Sequence, residues 1–329
     1  MRRALITGIT GQDGSYLADL LISKGYEVHG LARTTSPRRN DRLAQLRSEP
    51  ALHLYESDLS DARRIADLLS HIQPDEIYNL AALSHVAVSF DDPQATTRTN
   101  AMGAFQLLDA ARSTVPDCRF FQASSSEIFG AAPPPQNENT ACAPRSPYGQ
   151  SKLQAHRYVQ QARDEQGLFA VSGILFNHES ARRGESFVTR KITRAVAMIH
   201  AGLAERLELG NLSAIRDWGY APEYVEGMWL ALQAAEPTDY VLATGEGHTV
   251  ADFCAEAFRH VGLEWSDYVR YNADFERAGE VDVRIGDASK AEQLLGWKAR
   301  THALEIARIM VDADVASLSL SHHPGVSRH

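Results

Sequence analysis

The stretch Thr7-Gly8-Ile9-Thr10-Gly11-Gln12-Asp13-Gly14, directly after the apolar run Ala4-Leu5-Ile6, limits what this chain can become more than any other. An apolar strand that runs into three glycines spaced G-x-x-G-x-x-G must turn sharply and start a helix at once. Glycine permits that turn and lets the backbone approach a pyrophosphate closely. It also leaves the first N–H groups of the next helix facing the phosphates. The spacing reads as a dinucleotide site made by Gly8, Thr10, Gly11, Gln12, Asp13 and Gly14. Any tight strand-to-helix turn favours glycine, so the reading needs a second, independent feature.

Tyr148-Gly149-Gln150-Ser151-Lys152 supplies it. Positions i and i+4 share a helix face, so Tyr148 and Lys152 stand side by side. A phenol with an ordinary pKa near ~10 is a poor base at neutral pH. A neighbouring ammonium favours the phenolate, and the expectation is a lowered Tyr148 pKa that lets it take a proton from a substrate hydroxyl. Tyrosine and lysine share helices by chance often. This pair follows the glycine stretch by about 140 residues and comes shortly after Ser124-Ser125-Ser126-Glu127. Together the two motifs indicate oxidoreductase chemistry on a nicotinamide.

The end of the second expected strand bears on which nicotinamide. An Asp or Glu there suits the ribose hydroxyls of NAD, whereas an arginine suits the 2′-phosphate of NADP. Here the strand ends Gly30-Leu31-Ala32-Arg33 and is followed by Arg38-Arg39, so NADP is expected, with Arg33 as its contact.

A formal net charge of −9 argues against a nucleic-acid or anionic-membrane partner, so any anion site must be a local arginine cluster. Cys118, Cys142 and Cys254 are odd in number and far apart. They form neither a disulfide framework nor a metal-ligand spacing, so a cytoplasmic protein without a metal is expected. No uncharged apolar run approaches the ~18 residues of a membrane span, and no signal peptide is read at the start.

Short apolar strands alternate with helical segments through the first half. Strands are expected at Arg3–Thr7, Glu27–Ala32, Leu52–Tyr55, Glu76–Asn79, Arg119–Ala123 and Phe169–Leu175. Helices are expected at Gly14–Lys24, Arg63–His71, Thr96–Arg112 and Pro147–Gln166. Strands separated by helices imply right-handed crossovers and a doubly wound parallel sheet of α/β, Rossmann type. After Phe176 the pattern becomes irregular, with 277–285 a charged loop. The expected division is a dinucleotide-binding domain at 1–176, with 213–245 returning to it. A smaller C-terminal substrate-binding lobe takes 177–212 and 246–316, and 317–329 forms a tail.

Six motifs in order make the chain resemble the GDP-mannose 4,6-dehydratase family of extended short-chain dehydrogenases/reductases. They are Gly8 to Leu17, Ser124-Ser125-Ser126-Glu127, Arg145-Ser146-Pro147-Tyr148-Gly149, Gly173 to Ser180, Phe187-Val188-Thr189-Arg190-Lys191 and Arg216-Asp217-Trp218-Gly219. The resemblance runs from Met1 to about Asp314. It implies NADP as cofactor, GDP-mannose as substrate, GDP-4-keto-6-deoxy-mannose as product, and a homodimer or homotetramer. By the same resemblance Tyr148, assisted by Lys152 and Ser125, deprotonates the sugar O4, and Glu127 removes the C5 proton as water leaves C6. The alternative is a reductase or epimerase of the same fold acting on a nucleotide sugar; a simple reductase needs the tyrosine–lysine pair but not the carboxylate. Glu127 is therefore the residue that separates these activities.

The resemblance also implies that Asp58 and Leu59 flank the adenine, and that Leu80, Ala81, Ala82 and Ser84 line the cofactor path. His178 and Arg183 would approach the nicotinamide end. Ser84, Asn177, Lys191, Arg216, Arg277 and Glu280 would hold the sugar nucleotide. Three departures stand out: Ser125 replaces a usual threonine, Ala181 a usual proline, and Glu276-Arg277-Ala278-Gly279-Glu280 lacks the family's phenylalanine and proline.

Overall fold

Seven short strands form one parallel sheet: β1 (Arg3–Thr7), β2 (Glu27–Ala32), β3 (Leu52–Glu56), β4 (Glu76–Asn79), β5 (Arg119–Ala123), β6 (Ala170–Leu175) and β7 (Tyr240–Leu242). Their spatial order is β7-β6-β5-β4-β1-β2-β3. The computed structural model describes residues 1–33, 42–46, 48–276 and 281–321, with side chains through Ser319. Arg38, Arg39, Arg277, Glu280 and the tail from 322 lie outside the described residues.

Successive strand residues point to opposite faces, and each face has its own core. Ile6, Val28, Tyr78, Phe121 and Val171 meet Leu17 and Leu21 of helix Gln12–Ser23 and Val225, Met228 and Leu232 of helix Ala221–Gln233. Their immediate neighbours Leu5, Ile77, Phe120 and Ala170 meet Ile65, Leu68, Leu107, Leu108 and Val159 on the other side. Burial on both faces explains why these strands read as continuous apolar runs.

Strands β1, β2, β4 and β5 and helix Pro147–Gln166 fall at the expected bounds. The glycine-turn helix starts two residues earlier than expected, at Gln12. The expected Thr96–Arg112 helix is a composite of Pro93–Thr97, a π-helical turn Arg98–Met102 and Gly103–Thr114. Helix Ala221–Gln233 has no counterpart among the expected elements. Its apolar residues spread over several faces, so the 3.6-residue period is masked.

A second core gathers Ile192, Val196, Trp218, Phe253, Phe258, Ile306 and Met310, chiefly between helices Val188–His200, Val250–His260 and Ala303–Ser321. Fully buried Asp314 pairs with Arg190 at 2.7 Å and Arg194 at 3.5 Å, tying the last helix to Val188–His200. The stretch 277–285 is not all loop: Val283–Arg284 is a strand beside Ile215–Arg216, which pairs on its other edge with His248–Thr249. Asp217 joins this ladder to the main sheet. Its carboxylate accepts from Thr244 N and Oγ1, Gly245 N and Gly286 N, at 2.7 to 3.2 Å. Among the described residues no helix is long and apolar enough to cross a membrane.

Candidate active site

Strand order reverses between β1 and β4, and in open parallel sheets a crevice opens at that point beyond the strands' carboxyl ends. A cleft of about 730 Å³ lies there. Gly8 has φ +68°, and a Cβ on it would stand 2.8 Å from Ala81 N. A Cβ on Gly14 would overlap the Gly8 carbonyl. Gly11 sits at the N-cap of helix Gln12–Ser23 and offers no side chain to cap it, so the helix presents bare N–H groups to the cleft.

The other residues expected along a cofactor path line the same cleft: Thr10, Gln12, Asp13, Arg33, Asp58, Leu59, Leu80, Ala81, Ala82 and Ser84. Buried Asn100, inside the π-turn, fixes the Leu80–Ser84 segment. It accepts from Leu83 N at 2.8 Å and donates to Leu83 O at 3.1 Å. Arg42 and Arg98 also line the cleft and were not singled out from the sequence. Arg42 donates to the Thr10 carbonyl at 3.1 Å.

His178 faces an acceptor at each ring nitrogen: Phe176 O lies 2.7 Å from Nδ1 and Asp13 Oδ2 lies 2.9 Å from Nε2. Both nitrogens must donate, so the ring is an imidazolium. Burial alone would lower its pKa, but the charge of Asp13 and its hydrogen bond reverse this and raise it. For Asp13 burial acts upward, yet His178, Gln12 and Arg183 together bring the carboxyl down to about 2. This ion pair locks the glycine turn to the chain leaving β6. Arg183 also lines the cleft and pairs with Glu179 at 3.0 Å.

Ser146 caps helix Pro147–Gln166, accepting from Gly149 N at 3.0 Å, with Pro147 in the first turn. Tyr148 and Lys152 share its cleft-facing side. The expected lowering of the Tyr148 pKa is not found. Burial pushes it up to about 12, a hydrogen bond with Ser125 acts the other way, and Glu127 adds to the rise. Burial brings Lys152 down to about 8. Its ammonium donates to Ala123 O at 2.8 Å and lies 5.8 Å from the centre of the Tyr148 ring. Sequence spacing put the two groups on one face correctly but left out how strongly that face is desolvated.

Glu127 stands on a 3₁₀ turn, Ser126–Phe129, whose first N–H groups include Glu127 N donating to Ser125 Oγ at 3.3 Å. A Cβ on Gly149 would come within 2.7 Å of the Glu127 carbonyl, so glycine is what lets this turn press against the tyrosine helix. The Glu127 carboxylate is held by Arg284, Nη1 to Oε1 at 2.5 Å and Nη2 to Oε2 at 3.1 Å. Arg284 is a further site residue that sequence reasoning missed, after Arg42 and Arg98. It sits on a two-residue strand, which carries no period to read.

Asn177 and Arg216 also line the cleft. Lys191 is not among the lining residues; its ammonium lies 3.3 Å from the centre of the Phe275 ring. Among the described residues no group of three His, Cys, Asp or Glu side chains could hold a metal ion.

A parallel sheet with a glycine crevice at its switch point, and serine, tyrosine and lysine converging beside it, defines an extended short-chain dehydrogenase/reductase. The family model described as GDP-mannose 4,6 dehydratase matches residues 5–310, and the chain belongs to that family. It is 52% identical over 322 residues to GDP-mannose 4,6 dehydratase 2 of Arabidopsis thaliana, covering 95% of this chain and 86% of the relative. It is 46% identical over 338 residues to the human GDP-mannose 4,6 dehydratase, covering 95% and 91%. Among solved structures, a dTDP-glucose 4,6-dehydratase from Streptomyces venezuelae with NAD and TYD bound superimposes with TM-score 0.86 over 97% of this chain and 98% of that one. At 24% identity it speaks for the fold.

Proposed function

We propose that this chain is a nucleotide-sugar 4,6-dehydratase that converts GDP-mannose to GDP-4-keto-6-deoxy-mannose with bound NADP. The observation that carries the reading is a carboxylate, Glu127, in the same cleft as the Ser125, Tyr148 and Lys152 set. A reductase needs one proton-transfer group; a dehydratase needs a second, at C5.

The start of helix Gln12–Ser23, capped by no side chain, suits a dinucleotide pyrophosphate; Gly8 and Gly14 permit the turn before it, where a Cβ would overlap backbone. Arg33, with Arg42 and Arg98 lining the same cleft, supports a 2′-phosphate and hence NADP. When bound, the nicotinamide would supply the hydride acceptor and donor that a redox-neutral dehydration needs. Tyr148 takes the O4 proton, with Ser125 in hydrogen-bond contact and Lys152 on the same helix face. Glu127 takes the C5 proton, which the 4-ketone has acidified, and the 6-hydroxyl departs as water. Asn177, Arg216, Ser84, Lys191, Arg277 and Glu280 are the residues we assign to the sugar nucleotide. The assembly we assign is a homodimer or homotetramer, which sedimentation would test.

The test is GDP-mannose deuterated at C4, incubated with catalytic cofactor and no added reductant. The product should be lighter by one water and carry the label at C6. Steady NADPH consumption with a 4-keto sugar, and label lost to the free cofactor, would favour a reductase.

A further inference from the structure

Arg284 is 4% exposed, and burying a guanidinium without a partner is strongly unfavourable. Its partner is the Glu127 carboxylate, gripped through both oxygens, and both residues line the cleft. The grip comes from a fixed base. The Arg284 carbonyl accepts from Asp217 N at 3.0 Å, residue 284 is in register with Arg216, and Gly286 N donates to the Asp217 carboxylate. The other side of the pair is equally constrained, because the Glu127 backbone packs against Gly149. A carboxylate held this way uses one lone pair on each oxygen and keeps the others for a proton.

We infer that Arg284 is a positioning residue for Glu127, holding its carboxylate in place toward the sugar for the elimination step. This rests on the dehydratase reading above. In that step the C5–H bond breaks and its proton goes to Glu127. The electron pair forms the C5–C6 double bond, the C6–O bond breaks, and the hydroxyl leaves with the proton as water. The guanidinium fixes the carboxylate through both oxygens, so the free lone pair that takes the proton is also the one that later returns it to the departing oxygen. Arg284 has no part in taking the O4 proton, which belongs to Tyr148. Its removal therefore affects one half of the reaction.

The experiment compares full-length wild type with Arg284→Gln and Arg284→Lys, each with bound cofactor, by two readouts. One is exchange of the C5 proton of GDP-4-keto-6-deoxy-mannose in deuterium oxide, followed by NMR, which needs no redox turnover. The other is the single-turnover burst of reduced cofactor from GDP-mannose. Arg284→Gln should keep most of the burst and slow C5 exchange by roughly 100-fold, the loss that about 1 Å of misplacement brings. Arg284→Lys should restore part of the exchange, and it serves if the glutamine variant does not fold. Equal loss of burst and exchange, or exchange unchanged in rate, overturns the inference. A wild-type enzyme that neither dehydrates GDP-mannose nor exchanges C5 overturns the dehydratase reading instead, before any variant is compared.

Discussion

Two of the ion pairs that border the cleft among the described residues are alike in geometry and differ in what they hold. In the first, both imidazole nitrogens of His178 are committed, and Asp13 also accepts from Gln12 at 3.0 Å. Glu127 and Arg284 meet just as closely. The two carboxylates are about equally open, with 23% of the Asp13 side chain and 21% of the Glu127 side chain exposed, and both line the cleft. The first pair ties the glycine turn to the chain that leaves β6. The second, on the reading proposed above, holds the group that takes the C5 proton. Charge pairing and exposure in this cleft therefore do not mark reactivity; what counts is where the carboxylate stands, at the glycine turn for Asp13 and beside the tyrosine helix for Glu127.

The largest expected effects come from separating the two proton-transfer groups. Tyr148→Phe should lose even the first burst of reduced cofactor, a fall of roughly 100- to 10,000-fold for removal of a general base. Glu127→Gln should still form reduced cofactor but release little 6-deoxy product. Stopped-flow absorbance with product analysis reads both, and equal, modest losses would sink the assignment of two bases.

The structural pair is tested by stability. Asp13→Asn leaves a buried imidazolium unpaired and should destabilise the fold by about 3 kcal/mol in thermal or urea unfolding at neutral pH. The sign follows from the shifts. Asp13 is depressed to about 2, so its contribution is present above the ordinary carboxylate range and is lost as pH falls toward 2. His178 is raised, so its contribution is complete below the ordinary imidazole range and is lost as pH rises through its folded value. The gap between wild type and Asp13→Asn should be widest between those limits. A gap that does not vary with pH would show that the two groups are not an ion pair.

The smallest effect belongs to the cofactor's far end. NADP should bind more tightly than NAD, and Arg33→Ala should narrow the preference by about 1.5 kcal/mol, roughly tenfold, as for one hydrogen bond to a charged group. Arg42 and Arg98 line the same cleft, which is why the change stays modest. A titration in which the wild-type protein prefers NAD would refute the reading of the β2 end.

What could be read in advance follows the same division. The glycine turn, Tyr148 and Lys152 lie within contiguous motifs whose spacing is itself the geometry, and most strands of the sheet are apolar runs bounded by turns. Helix Ala221–Gln233 was not legible because its core-facing surface extends too far around the axis to leave a stripe. Arg284 was not legible because 157 residues separate it from Glu127, and nothing local to 277–285 distinguishes it from a solvated charge. The height of the Tyr148 pKa was missed for another reason: spacing reports who stands beside whom, whereas desolvation depends on everything packed around them.

The Asp217 carboxylate has a consequence for how such a protein can be recombined. It satisfies donors from Thr244 and Gly245, just past β7, and from Gly286, just past the strand that carries Arg284. A chimera that exchanged the segment around Gly286 alone would have to reproduce this backbone path or leave a buried donor orphaned, at about 1–3 kcal/mol for each such group. The C-terminal portion is thus not a detachable cassette. Segments that are remote in the chain must be inherited together, because one side chain is their common fastening.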